Sequence, residues 1–382
     1  MPANCSPERK LLVVALSGRA CAFAAWRAGF RPVVLDLFGD ADLRAVAAAS
    51  AVVAGDLAGG FDPAALLAAA GRAAPAGSVE GILYGSGLEN APELISALAT
   101  GRRLYGNPEE TVRRVKDPDV FFPVLDRLGL PRPRFTFDPP ADPATWLAKR
   151  AGGAGGGHVR AATREPAAGR VYFQHRVAGN PLALLFAADG RRGRMLAWSS
   201  QWPDPAPDAP FRFGGAAGPV VVPGAVGTQI GRALDALVSA FGLRGLNSLD
   251  LLENGGEGFH VLEVNPRPGA ALDVFDGPGL GSLGAVHLAA CAGALDHPWV
   301  APAGARAMHV VYATAAGAVP AGLVWPDWVA DRPAPGARVE PGSPVCTVLA
   351  AASDAPAARV LVAERKEWVL RQLASRSPHC PR

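Results

Sequence analysis

VLEVNPRPGA, residues 261–270, decides how the rest of the chain is read. An apolar strand carries Glu263 on what alternation makes its inner face, then stops at Asn265, Pro266, Arg267 and Pro268. A carboxylate, an amide and a guanidinium gathered at one strand end call for a shared purpose.

Just upstream, GLNSLDLL (245–252) reads as the partner strand of a hairpin. If Asp250 pairs with Glu263, residues 254 and 259 pair as well, and Gly255, Gly256, Glu257 and Gly258 form the connection. Phe259, Val261, Glu263 and Asn265 are then expected on one face, with Ser248, Asp250 and Leu252 together on the partner. A slip of one residue would part the two carboxylates. Two opposed carboxylates repel, and burial would force one of them to keep its proton. A divalent cation between them reverses that interaction. Oxygens from Asp250, Glu263 and Asn265 suit Mg²⁺, whose remaining ligands are phosphates and waters. The plainer alternative is neutralisation by Arg267 in a salt bridge. Arg267 can instead grip phosphoryl oxygens with two parallel hydrogen bonds.

Two other stretches bear on the same chemistry. AGGAGGGHVR (151–160) is a glycine-rich loop whose backbone N–H groups can crowd round a phosphate with no Cβ in the way, at Gly153, Gly155, Gly156 and Gly157. A flexible linker would have a similar composition. Lys149, just ahead of the loop, and Lys116, near the end of an earlier helix, supply cations for the same phosphates; a solvated charge is the duller reading of either. VYFQHRVAGNP (171–181) is a strand leading into a glycine turn, where the Gln174 amide and the backbone near Val177 can read a purine edge. A polar residue on a half-exposed strand would explain Gln174 equally well.

Bulk properties bound the possibilities. A chain of 382 residues has room for two or three domains. Charged residues are 19% of the chain and the net charge is +3 with no basic block, so nucleic acid and membrane surfaces are not expected partners. The five cysteines are scattered without a CxxC pair and read as reduced thiols of a cytoplasmic protein, with no zinc site. The apolar run after MPANCSPERK is too short for a signal sequence, and no window is long enough for a bilayer span.

Along the chain, LLVVAL (11–16), RPVVLDLFG (31–39), GILYGS (81–86) and RLYGN (103–107) are strand candidates separated by Ala-rich helices, the pattern of a parallel sheet. Arg19 and the loop GSGLEN (85–90) fall at carboxyl ends of those strands, where such sheets bind ligands. There is no GxGxxG after the first strand, which disfavours a dinucleotide site. The segment 227–243 is amphipathic and helical. Beyond about residue 300, MHVVYA, VCTVLA and RVLVA read as short strands, with a helix from Glu364 to Leu373.

The order of these parts resembles the ATP-grasp superfamily over most of the chain. The match runs from Lys116 through Lys149 and its glycine lid, the hinge strand and the Asp250, Glu263, Asn265 set, to NPRPG. The thirteen-residue gap from Asp250 to Glu263 is similar to that of D-alanine–D-alanine ligases. VVLDLFGDADLR and PVCTVLA resemble uncharacterised ATP-grasp proteins of methylotroph gene clusters for tetrahydromethanopterin and methylofuran, and more distantly tyramine–glutamate ligases.

The resemblance implies an α/β fold: a Rossmann-like pre-ATP-grasp domain (1–106), a two-lobed ATP-grasp domain (107–178 and 179–300) and a small C-terminal α/β segment (301–382). It implies ATP with Mg²⁺, or Mn²⁺ in its place, held at Asp250, Glu263 and Asn265. ATP contacts are implied at Lys116, Lys149, Gly153, Gly155, Gly156, Gly157, Gln174 and Val177, with Arg267 and Lys149 acting in catalysis. The implied reaction phosphorylates a small-molecule carboxylate and couples it to an amine, in a protein that a homodimer would suit. An amino-acid addition in one-carbon cofactor synthesis is the narrower expectation. The acceptor pocket is expected at Arg19, Tyr84 and Glu89. The alternatives are a non-catalytic nucleotide-binding subunit and a biotin-carboxylase-like carboxylase. Gln174 stands where many relatives have Glu, Asn180-Pro181 replaces a usual acidic ribose ligand, and Arg150 follows Lys149 where Pro is frequent.

Overall fold

A computed structural model describes residues 9–163, 170–256, 258–277 and 279–374. Glu257 and two of the five cysteines, Cys5 and Cys380, lie outside the described residues.

The first layer is a parallel five-stranded sheet. Its strands are β1 (Lys10–Val14), β2 (Arg31–Asp36), β3 (Ala49–Val52), β4 (Gly81–Tyr84) and β5 (Arg103–Tyr105), in the order β3-β2-β1-β4-β5. The near-continuous apolar runs of β1, β2 and β4 follow from burial on both faces by α1 (Arg19–Arg27), α2 (Pro63–Ala73) and α3 (Glu93–Ala99). The strand order reverses between β1 and β4, so the loops after those two strands open toward the middle of the molecule.

Two short helices come next. α4 (Glu109–Val115) ends at Lys116, and α5 (Pro118–Arg127) begins one residue later, with Asp117 accepting from Asp119 N and Pro118 in the first turn. The lysine therefore sits at the junction of the two helices, as the residue that closes the first and just ahead of the cap of the second.

A four-stranded antiparallel sheet carries the glycine-rich loop: β6 (Phe135–Thr136), β7 (Trp146–Arg150), β8 (Val159–Ala161) and β9 (Val171–His175), in the order β8-β7-β9-β6. The third sheet has eight strands. β10 (Asn180–Asp189), β11 (Gly193–Pro203), β12 (Phe213–Gly218), β13 (Arg244–Glu253), β14 (Phe259–Asn265), β15 (Ala305–Tyr312), β16 (Val329–Ala330) and β17 (Pro344–Ala352) lie in the order β14-β13-β10-β11-β12-β15-β17-β16. One face packs on α6 (Gly224–Phe241) through Leu184, Phe186, Leu249 and Val261. The other packs on α7 (Ala271–Phe275) and α8 (Leu283–Cys291), which also touch α1. Among the described residues no helix is long and apolar enough to cross a membrane.

The C-terminal reading needs one correction. RVLVA (359–363) is not a strand but part of α9 (Ala355–Ala374). Its apolar residues look β-like locally, but Ala358, Val362 and Val369 recur at helical spacing and bury against Val311 and Val348. Asp354 caps the helix by accepting from Ala357 N.

Candidate functional site: two carboxylates, an amide and two lysines

The hairpin does pair Asp250 with Glu263, but the expected register stops there. Leu251 pairs with Val261 and Glu253 with Phe259, so Leu262 is an extra residue in a β-bulge and 254 does not face 259. The bulge also corrects the assignment of faces. Phe259 and Val261 point into the α6 core with Leu249, Leu251 and Val264. Glu263 and Asn265 lie on the opposite face, beside Asp250. Strict alternation would have sent core and site residues of β14 to the same side; one inserted residue separates them.

Around the bulge the polar groups are closely engaged. Asn265 Nδ2 donates to Asp250 Oδ2 at 2.9 Å. Lys116 Nζ reaches Glu263 Oε2 at 2.9 Å and Asn265 Oδ1 at 3.0 Å. It is Lys116, and not Arg267, that neutralises the hairpin carboxylate. Burial and the neighbouring Glu263 charge push Asp250 up to about 7. Burial also opposes ionisation of Glu263, but Lys116 and Lys149 outweigh it and hold that carboxyl down at about 2.

Lys149 on β7 is buried, with Nζ 3.2 Å from Gln174 Oε1 on the adjacent β9. Burial pulls its ammonium below the ordinary lysine value, while Glu263 and Asp250 pull it back. Gln174 is only 2% exposed, and its Nε2 has no hydrogen-bond partner. Val177, at the end of the same segment, is partly exposed. In the glycine-rich loop, Gly155 and Gly157 are exposed and Gly153 is buried against His158, whose ring a Cβ would strike. His158 had no role from sequence. It lines a pocket with Lys116, Tyr172 and Glu263, and burial with the two lysine charges pulls it down to about 4. A histidine closing a glycine run was the one local signal for it.

Arg267 is paired elsewhere: its Nε donates to Glu89 Oε1 at 2.7 Å, and Glu89 also accepts from Gly87 N. Burial pushes the Glu89 carboxyl up, but Arg267 and Lys116 outweigh it and keep it below the usual range. Asn107 ties the same region together, donating to Pro266 O and Asn247 Oδ1.

Two of the expected acceptor-pocket residues are committed to other work. Tyr84 is a core residue of β4 whose hydroxyl donates to Asn107 O. Arg19 is buried and forked between Asp273 of α7 and Asp331 near the C-terminal strands. It joins three parts of the chain and offers no free guanidinium. Glu89 is at the site, though spent on Arg267.

The residues fit a hard divalent cation. Asp250 Oδ1 is a buried carboxylate oxygen with no hydrogen-bond partner, on the face shared with Glu263 and Asn265. No group of three His, Cys, Asp or Glu side chains is gathered for a metal among the described residues, so further ligands would have to come from phosphate and water.

Comparison with known proteins bears on the fold. Residues 114–271 match the model of the ATP-grasp domain. No curated protein matches the chain at the sequence level. An ADP complex of N5-carboxyaminoimidazole ribonucleotide synthetase superposes with a TM-score of 0.64 at 13% identity, over 96% of this chain and 98% of that one. The corresponding synthetase from Thermotoga maritima gives 0.63 at 15%, over 94% and 98%. Biotin carboxylase from Campylobacter jejuni, in a nucleotide complex, gives 0.67 at 13%, over 96% and 95%. At such identities the likeness is one of fold.

Proposed function

We propose that this chain, an ATP-grasp protein with the fold of ATP-dependent ligases, uses Mg·ATP to phosphorylate a substrate carboxylate and then joins the acyl group to an amine. The observation that carries the reading is the oxygen set Asp250, Glu263 and Asn265 facing two lysines, with one carboxylate oxygen left unpartnered.

When bound, Mg²⁺ (or Mn²⁺) would offset the charge of the triphosphate at Asp250, Glu263 and Asn265. Lys116 and Lys149 orient the phosphates as point charges. The N–H groups of Gly155, Gly156 and Gly157 cover them and exclude water, whereas the Gly153 N–H, expected there from sequence, donates to Arg150 O at 3.2 Å and turns the loop. Gln174 and the Val177 backbone take the base. Arg267, held in place by Glu89, meets the negative charge that develops on the transferring phosphoryl group and then on the tetrahedral adduct. The carboxylate oxygen attacks the γ-phosphorus with ADP leaving, and the amine then attacks the acyl carbon with phosphate leaving. No side chain has to act as the nucleophile.

The finer reading is an amino acid, glutamate for instance, added to a tetrahydromethanopterin or methylofuran precursor in the cytoplasm. It is supported by the likeness of VVLDLFGDADLR and PVCTVLA to proteins of those gene clusters. The test measures ADP release with candidate acids and amines, singly and together. Release is expected only with both, and Glu263→Ala should abolish it in a folded protein. Turnover that persists in that variant removes the assignment.

One finding favours a second reading, in which the carboxylate is bicarbonate. The synthetase and the biotin carboxylase both match over at least 94% of this chain, including its C-terminal strands. Bicarbonate-dependent ADP release without an added organic acid would select it.

A further inference from the structure

The glycine-rich loop is held from two sides, and only one of them belongs to the domain that carries it. On the first side, Arg150 Nη2 donates to Ala58 O at 2.7 Å, and Gly152 lies against Glu89 O and Asn90. On the second, Phe213 N donates to Gly155 O at 2.9 Å. There Gly156, at φ +73°, comes so near the Phe211 carbonyl that a Cβ would overlap its oxygen. Phe211 to Phe213 thus form an arm against which the loop is seated.

The arm closes its own hairpin, with Asp204 N donating to Arg212 O at 2.8 Å, and residues beyond 300 fasten it further. Arg212 donates to Asp204 O and to Gly342 O, each at 3.0 Å, and its guanidinium lies 3.5 Å above the Tyr312 ring centroid. The Tyr312 hydroxyl donates to Phe213 O at 2.8 Å, so the residue that bonds Gly155 through its N–H is fixed through its own carbonyl. Lys366 on α9 secures the arm's other end through Asp204 Oδ2 at 2.9 Å. A stacked, doubly bonded arginine is costly to displace, because its donors and the carbonyls it meets would all need new partners.

We propose that the C-terminal segment is the anchor of the phosphate lid, with Arg212 and Tyr312 as positioning residues that keep the Phe211–Phe213 arm, and so Gly155 and Gly156, seated over the nucleotide. In the ligase reading, on which the kinetic part of this inference rests, a seated lid keeps water from the acyl phosphate. A loosened lid admits water, which releases the free carboxylate and inorganic phosphate, so ATP is spent without ligation.

The test uses the full chain and the variants Tyr312→Phe and Arg212→Met. Amide hydrogen exchange across 150–159 is followed without ligand and with Mg·ADP. Exchange in the loop should quicken by about fivefold in Arg212→Met and about twofold in Tyr312→Phe, with β1 and β4 unchanged. Loop exchange equal to that of the parent chain overturns the proposal. Should Arg212→Met fail to fold, Tyr312→Phe, which deletes one hydroxyl, decides alone. Phosphate released per ligated product should rise about threefold while KM for ATP moves less than about twofold; a constant ratio alongside faster loop exchange overturns the water-excluding role. If no ligation is found with any acid and amine, the ligase reading has failed, and the exchange experiment still decides the anchor.

Discussion

Lys116 Nζ lies 2.9 Å from Glu263 Oε2, an ion pair that joins the junction between α4 and α5 to the bulged strand of the hairpin. The lysine balances a carboxylate in the free protein, and in the proposed function it is also one of two cations that meet the triphosphate. Lys116→Met should weaken Mg·ATP binding by about one to two orders of magnitude and cost about 1–3 kcal/mol of stability in the free protein. Isothermal titration and urea unfolding measure the two effects, and an unaltered nucleotide affinity would count against the assignment.

The hairpin carboxylates predict a pH dependence. Burial beside Glu263 raises Asp250 from its ordinary 3.8 to about 7. Between those values the folded chain holds a proton that the unfolded chain has released. Stability without metal should therefore fall as pH rises from about 4 to about 7. Glu263, held down at about 2, contributes in the opposite sense, and that contribution is lost only as pH drops below the ordinary glutamate range. Asp250→Asn should flatten the curve between about pH 4 and 7 in urea unfolding. Equal slopes for the two proteins would contradict the dyad.

Metal dependence follows from the unpartnered Asp250 oxygen. Chelation by EDTA should weaken ATP binding to the parent chain by about tenfold or more, and Mn²⁺ should restore it. Glu263→Gln should bind ATP weakly with or without EDTA. A variant still sensitive to EDTA would place the ion elsewhere.

Gly156 offers a test of lid seating. Its positive φ and its approach to Phe211 O leave no room for a side chain. Gly156→Ala should raise lid amide exchange and lower kcat by about tenfold or more, with global stability changed by no more than about 1 kcal/mol. A kcat equal to that of the parent chain would remove the lid from the mechanism.

Arg19 should act on stability and not on chemistry. It is buried between Asp273 and Asp331, so Arg19→Leu strands two carboxylates and should cost about 3–5 kcal/mol. In whatever fraction remains folded at low temperature, the KM values for acid and amine should stay within about twofold. A selective loss of affinity for one acceptor would restore Arg19 to the binding pocket.

Much of the site was legible in local order. The spacing of Asp250 and Glu263, the amide two residues on and the lysine ahead of a glycine run each carry meaning within a few residues. The bulge at Leu262 was not legible, because alternation along one strand does not reveal which residue its partner will skip. Nor was the start of α9, where a β-branched run becomes helical by packing on β15 and β17.

From the chain order alone came the oxygen donors, the two cations and the glycine loop, since these depend on residue type and short spacing. Who pairs with whom came only from folding. Glu89 with Arg267, Arg19 with Asp273 and Asp331, and Arg212 with Tyr312 are all joined across long stretches of chain. A charged side chain's role depends on which counter-charge burial brings to it, and that is a property of the packed molecule as a whole.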